Sequence, residues 1–169
     1  MGEICHPSVF SHIYICCAVK GLKTNHDYLV ESMESKSPKE IQVEEKITEL
    51  VTKIVDGQTS GDDLPMRLWN SLRNNQEIVA IQNYANMVSI GRLGLNDHGP
   101  VHMKTVCRNA LKMLNILHTA GMQTSLEKEN IGTFADSVAA VMLASLLHDS
   151  GMTIGRKGHE LYSGIISYY

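Results

Sequence analysis

The amino-acid sequence predicts an all-α fold of five or six helices. After Ser37, apolar residues recur at intervals of three and four, which is the period of a helix with one buried face. Ser, Thr, Asp or Pro precedes these apolar runs and Gly follows them, as at helix ends. Residues 10–19 favour a strand, but no second strand pattern is present to pair with it. With 169 residues, 43% of them hydrophobic, the chain should form one main core.

The first predicted helix begins after Ser37, an N-cap residue. Pro38 occupies its first turn, and Glu40 stands where a capping box has its carboxylate. The apolar face of this helix comprises Ile47, Leu50, Val51, Ile54 and Val55. Gly57 ends the helix, and Asp63 is predicted to cap a short second helix after a polar loop.

Four further helical segments are predicted downstream. The third helix extends from about Gln76 to Gly91 and the fourth from Pro100 to Ala120. A polar connection leads to a fifth helix, which Thr133 caps and which breaks at Ser150-Gly151. A last helical fragment extends roughly from His159 to Ser167.

These elements divide the chain into three parts. Residues 1–36 are left unassigned, residues 37–92 form a helical N-terminal part, and residues 93–169 carry the candidate site. The apolar stretch Val9–Val19 is too short to cross a bilayer and has no basic leader, so we expect no membrane segment.

The composition indicates a cellular compartment and excludes one class of partner. The four cysteines lack C-x-x-C spacing, which favours free thiols and a cytoplasmic protein. The formal net charge is −3, and Lys and Arg are spread along the chain, so we expect no nucleic-acid partner.

Three clusters of ionisable residues lie at predicted helix ends: residues 96–102, then His148-Asp149, then His159-Glu160. His148 and Asp149 follow a buried apolar run, where unpaired polar groups would cost a few kcal/mol each. A divalent cation would remove that cost, with His102 as the third ligand. Imidazole and carboxylate ligands favour Mn, Fe, Co, Ni or Zn over Mg.

The segment NDHGPVH, residues 96–102, and the segment LLHDSG, residues 146–151, resemble the H…HD signature of HD metal-dependent phosphohydrolases. The resemblance covers roughly Leu93 to Tyr169. It implies an HD-like helical bundle with a divalent metal on His102 and on the His148-Asp149 pair. The pair His98 and His102 is also similar to the H-N-x-x-H turn of cyclic-nucleotide phosphodiesterases, which implies that His98 is the general acid.

The resemblance has one clear departure. HD domains usually recruit a fourth ligand, a downstream aspartate, but no aspartate follows Asp149. Either His159, Glu160 and water complete the site, or the domain is shortened at its C-terminus, which is the expectation we favour. His159 resembles a second-metal histidine, so the site is expected to hold one ion or two.

The function implied by this resemblance is metal-dependent phosphohydrolysis. A metal-activated water would attack a small phosphorylated or nucleotide-like substrate, whose phosphate Arg156 and Lys157 would bind. The alternative is a non-catalytic, truncated HD-like module that binds metal or a partner without turnover. A shortened domain would also expose apolar surface, which favours a homo-oligomer.

Simpler roles stay open for several of these residues. His98 could cap a helix, Asp97 could interact with the helix dipole, and His159, Arg156 and Lys157 could be solvated side chains.

Overall fold

The computed structural model describes residues 36–57 and 63–168, and every regular element within these two ranges is helical. The prediction of an all-α fold is confirmed. The α-helices of the described ranges are α1 (Pro38–Asp56), α2 (Leu64–Leu72), α3 (Gln76–Asn86), α4 (Pro100–Thr119), α5 (Ser125–Lys128), α6 (Phe134–Leu147) and α7 (His159–Tyr168). A π-helical segment, Met87–Arg92, continues α3, and a 3-10 turn, Ser150–Thr153, follows α6.

The described residues belong to one compact unit, Lys36–Tyr169. The predicted parts 37–92 and 93–169 therefore lie in the same unit, whereas residues 1–35 lie outside the described ranges. Of the described helices, none combines the length and the apolar character needed to cross a bilayer.

Helix α4 is the central helix of the described fold, because it packs against both α1 and α6. Helix α2 covers α1 and α6. The fully buried apolar residues of this core include Ile47, Val51, Trp69, Cys107, Leu111, Val138 and Met142. The buried face of α1 is the one that its apolar spacing predicts.

The cap at Ser37 forms as predicted, since its hydroxyl accepts a hydrogen bond from the backbone N–H of Glu40 at 3.2 Å. The predicted capping box does not form, because the Glu40 carboxylate instead contacts Lys104 of α4. Asp63 precedes α2 but makes no side-chain cap bond, and its carboxylate pairs with Arg67 at 2.7 Å. In both cases the carboxylate pairs with a nearby cationic side chain and does not cap the helix.

The polar connection before α6 is itself partly helical, which the sequence prediction missed. Helix α5 has four residues and a complete capping box between Thr124 and Glu127. Helix α6 starts in the same way, with a capping box between Thr133 and Asp136. Helix α5 accounts for the larger number of helices than predicted.

A buried ion cluster joins α1 to α4. Lys104 is 2% exposed, and its Nζ lies 2.5 Å from Oε1 of Glu40 and 2.5 Å from Oε1 of Glu44. Lys36 also contacts Glu44, with its Nζ 2.8 Å from Oε1, and it donates to the backbone carbonyl of Arg73. Burial raises the pKa of Glu44, but the two lysines more than offset this effect and hold its pKa below the ordinary value of 4.5.

Replacing Glu44 by Gln is expected to reduce the loss of stability on acidification. Because the folded-state pKa of Glu44 is lowered, its carboxylate stabilises the fold fully above pH 4.5 and less as the pH falls through that lower pKa. Urea unfolding at several pH values should therefore show a stability difference between wild type and Glu44→Gln that shrinks toward pH 3. The exposed Glu45→Gln on the same helix is the control, and an unchanging difference for Glu44→Gln would contradict the assignment.

Candidate metal site

Three helix ends meet around the carboxylate of Asp149. His102 lies in the first turn of α4, His148 and Asp149 directly follow α6, and His159 is the first residue of α7. The Oδ2 atom of Asp149 lies 3.4 Å from Nε2 of His102 and 3.2 Å from Nε2 of His148. Its Oδ1 atom lies 3.4 Å from Nε2 of His159. The structure thus brings together four residues that the sequence proposed as ligands.

Asp149 is a buried carboxylate, only 3% exposed, and among the residues that the structure describes its Oδ2 atom has no hydrogen-bond partner. The nearby nitrogens of His102 and His148 do not meet that oxygen in hydrogen-bonding geometry. A charged oxygen that is removed from water and lacks a donor is destabilising. A cation bound at Oδ2 would supply the missing interaction.

The spacing of the ligand atoms suits a divalent cation. Two ligands that each lie about 2.1 Å from one ion, at tetrahedral or octahedral angles, are about 3.0–3.4 Å apart. The distances from Oδ2 of Asp149 to the two imidazole nitrogens, 3.2 and 3.4 Å, fall within this range. All three ligand atoms lie within 4.8 Å of one another. The group of His102, His148 and Asp149 could therefore hold a metal ion.

Backbone carbonyls orient two of the histidines around Asp149. Nδ1 of His148 lies 3.0 Å from the carbonyl oxygen of Ser145, and Nδ1 of His159 lies 2.8 Å from that of Arg156. A carbonyl only accepts hydrogen bonds, so each Nδ1 must carry the proton. In the neutral imidazole this leaves the lone pair on Nε2, the nitrogen that faces Asp149.

The charges in the site favour an ionised Asp149. Burial raises the pKa of Asp149, but the contact with His148 and the charges of His98 and His102 more than offset it, so that its pKa is lowered. In turn, contact with the Asp149 carboxylate raises the pKa of His148, although burial opposes this effect. The negative charge at the centre of the group therefore attracts cationic species.

His98 is held beside His102 by the loop before α4. The two ring centroids lie 5.5 Å apart. Nδ1 of His98 lies 2.6 Å from the carbonyl oxygen of Asn96 and 2.8 Å from the hydroxyl of Ser89, a buried residue of the π-helical segment. The backbone N–H of His98 donates to the side chain of Asn86. These contacts fix the ring and leave Nε2 as the nitrogen available for proton transfer.

Other predicted site residues lie farther from the centre. Glu160 is 77% exposed and approaches Nδ1 of His159, the ring nitrogen that does not face Asp149. Arg156 and Lys157 are exposed in the turn before α7. Asp97 caps the turn before α4 by accepting a hydrogen bond from the backbone N–H of Gly99 at 2.8 Å. Within the described ranges, the group that could hold an ion comprises three residues.

A small apolar cluster holds the ligand-bearing elements together. Met103 of α4 and Met152 of the 3-10 turn are buried and pack with Ala85 of α3. Leu95, from the loop that carries His98, packs against the same cluster. The first turn of α4 and the turn after Asp149 therefore pack against the same apolar cluster.

Gly151 is required where the 3-10 turn meets α7. A Cβ atom at this position would lie 2.7 Å from the backbone nitrogen of Ser163 and closer still to the carbonyl oxygen of His159. Both atoms belong to the backbone of α7, so no side-chain rearrangement relieves the contact. Helix α7 can approach Asp149 closely only because residue 151 has no side chain.

Replacing Gly151 by Ala is expected to displace α7 and to destabilise the protein by about 1–3 kcal/mol, the range for overpacked sites. Thermal unfolding measures this loss, and Gly164→Ala, where a Cβ meets open space on the same helix, is the control. A Gly151→Ala variant as stable as wild type would show that α7 does not pack there as closely as the structure indicates.

Comparison with known proteins identifies an archaeal relative. Over 104 residues, 62% of its length, the chain is 36% identical to an uncharacterized protein of Methanocaldococcus jannaschii. The matched stretch spans 40% of that relative. No protein-family model matches the chain, and no solved structure matches it.

Proposed function

We propose that this protein is an HD-type metal-dependent phosphohydrolase that acts on a small phosphorylated or nucleotide-like substrate. The observation that carries the proposal is the buried Oδ2 of Asp149, which lies between the Nε2 atoms of His102 and His148 and makes no hydrogen bond within the described part of the chain. The H…HD resemblance supports the reaction class, and the mixed imidazole and carboxylate ligands favour Mn, Fe, Co, Ni or Zn.

In this proposal, His102, His148 and Asp149 hold the cation. When bound, such a cation polarises a phosphoryl oxygen and makes a coordinated water more acidic. The site is partly open to solvent, because the side chains of His102 and His148 are each 37% exposed, whereas Asp149 is buried. In this proposal a phosphate group approaches the ion from the side of the imidazoles.

The neighbouring residues have separate tasks. His98, with its ring fixed by Asn96 and Ser89, would act as the imidazolium, in which both ring nitrogens carry a proton, and would donate the Nε2 proton to the leaving oxygen. His159 lies on the Oδ1 side of Asp149, where it orients the carboxylate or takes part in holding a second ion. Arg156 and Lys157 attract the substrate phosphate from the exposed turn before α7.

The test uses chelator-stripped protein reloaded separately with Mn²⁺, Co²⁺, Ni²⁺, Zn²⁺ and Mg²⁺. Metal content is measured by elemental analysis, and hydrolysis is assayed with p-nitrophenyl phosphate, its diester and a panel of nucleotides. We expect one or two ions per chain and turnover with the transition metals. His102→Ala should lose both, whereas His118→Ala, an equally exposed histidine of α4 that contacts Glu127, should retain both. Wild-type protein that binds none of these metals after reloading and shows no turnover would refute the proposal.

A second candidate function is a metal-binding module without turnover. It is favoured by the number of ligands. HD domains usually have four protein ligands, whereas the described group has three, and Glu160 is largely exposed to solvent. One ion per chain combined with no hydrolysis across the same panel would support this function. Loss of turnover in His98→Gln at unchanged metal content would instead favour the hydrolase.

A further inference from the structure

We propose that Ser163 of α7 is a positioning residue for cation binding, because its hydroxyl bridges the backbone on both sides of Asp149. This inference rests on the metal site proposed above. Ser163 does not belong to the ligand group. Its role would be to fix the direction in which the Asp149 carboxylate points.

The end of α6 explains why such a residue is needed. The last carbonyl groups of a helix have no partner within the helix. Here four consecutive carbonyls each face a side-chain donor: Ser145 O with His148 Nδ1 (3.0 Å), Leu146 O with Gln82 Nε2 (2.9 Å), Leu147 O with Ser150 Oγ (2.8 Å) and His148 O with Ser163 Oγ (2.5 Å). The turn that carries the ligands is therefore held by side chains at each of these peptide groups.

Two of these donors come from other helices. Gln82 belongs to α3 and Ser163 to α7, and both are buried. The other two, His148 and Ser150, are local to the turn. The long-range donors tie the turn to the rest of the fold, so its conformation does not depend on local backbone preferences alone.

Ser163 differs from Gln82 because it holds two backbone groups at once. Its hydroxyl donates to the carbonyl of His148 and accepts from the N–H of Gly151 at 2.8 Å. These two groups flank Asp149 and Ser150. Fixing them restricts the backbone of Asp149 and thus the direction of its side chain. Only a hydroxyl at this position can donate and accept in this way.

The same helix also carries His159, four residues before Ser163. The bridge therefore sets the distance between the start of α7 and Asp149, which is seen in the 3.4 Å contact of His159 Nε2 with Oδ1. Ligand groups must be held to within about 0.5 Å for tight binding. Without the bridge, the N–H of Gly151 and the carbonyl of His148 lose their partner next to the central ligand.

The experiment compares wild type, Ser163→Ala and Ser167→Ala, all metal-free at the start. Ser167 is the matched control, because it is an exposed serine of α7 whose hydroxyl bonds the carbonyl of Ser163. Co²⁺ affinity is measured by titration calorimetry, the ligand geometry by the visible spectrum of bound Co²⁺, and stability by thermal unfolding without metal. We expect Ser163→Ala to bind Co²⁺ about 10–100-fold more weakly with an altered spectrum, as for partners that orient metal ligands, and Ser167→Ala to match wild type.

The pair Ser163→Thr and Ser163→Val keeps the test decisive if the alanine variant does not fold. The two replacements have nearly the same shape, but only Thr retains a hydroxyl. Thr should therefore bind Co²⁺ at least about tenfold more tightly than Val. Equal affinities and spectra for Thr and Val, or for Ala and wild type, would overturn the role of Ser163 while leaving the metal site intact. Wild-type protein that binds no Co²⁺ would instead overturn the metal site itself.

Discussion

Replacing Asp149 by Asn is expected to weaken divalent cation binding by more than about 100-fold, beyond the effect of losing an orienting partner. The reason is that Asp149 carries the negative charge of the ligand group, and its Oδ2 lies between the two imidazole nitrogens. The metal-free variant should also be somewhat less stable than metal-free wild type at neutral pH. The contact with His148 and the charges of His98 and His102 hold the pKa of Asp149 below its ordinary value, so the ionised carboxylate stabilises the fold.

Thermal unfolding with and without Co²⁺ measures both effects in one experiment. A ligand at 100 times its dissociation constant stabilises the folded state by about 2.7 kcal/mol, so the melting temperature of wild type should rise and that of Asp149→Asn should not. Asp97→Asn is the control, since Asp97 is an exposed carboxylate near the site that accepts a hydrogen bond from the N–H of Gly99. A melting temperature that Co²⁺ raises as much for Asp149→Asn as for wild type would contradict the role of Asp149 as a ligand.

The second large effect is expected at Lys104. Replacing this buried lysine by Met leaves the carboxylates of Glu40 and Glu44 close together in the protein interior. Removing one partner from a buried ion cluster typically destabilises a protein by about 3–5 kcal/mol, because the remaining charge is uncompensated. Glu40 should be affected most, since Lys36 still contacts Glu44.

Urea unfolding at neutral pH measures the stability of Lys104→Met. Lys112→Met, an exposed lysine on the same helix, should change stability little. Adding Glu40→Gln and Glu44→Gln to Lys104→Met should recover much of the loss, because no unpaired buried charge then remains. A loss of less than about 1 kcal/mol for Lys104→Met, the value of an exposed ion pair, would contradict the buried cluster.

The helices were predictable where apolar spacing and end signals agree. Ser37, Pro38 and the apolar face of α1 define that helix in the sequence as they do in the structure. Helix α5 was not predictable from spacing, because four residues are too few to show a helical period. The π-helical segment was missed as well, since Gly91 and Gly94 indicate only that a helix ends nearby.

The ion cluster was not predictable because its partners are distant in sequence. Lys104 lies among the apolar residues of α4. No neighbouring residue in the sequence indicates that it is buried against carboxylates about sixty residues earlier. A charged residue on the buried side of a helix is informative only when its partner is known.

The candidate ligands were predictable because polar residues stand out where an apolar helix ends. The residues that support them were not. Ser89, Gln82 and Ser163 are single polar residues of helical segments, and their contacts with His98, Leu146 and His148 join different elements of the fold. A polar residue at a buried helical position is the one sequence signal that could have found them, since such a residue needs a partner.

The central claim is that His102, His148 and Asp149 bind one divalent cation. Anomalous diffraction from crystals of the full chain grown with Co²⁺ tests it most directly. We predict an anomalous peak about 2.0–2.2 Å from Nε2 of His102, Nε2 of His148 and Oδ2 of Asp149. Crystals that contain bound Co²⁺ only at other positions, with this group in its present conformation, would contradict the claim.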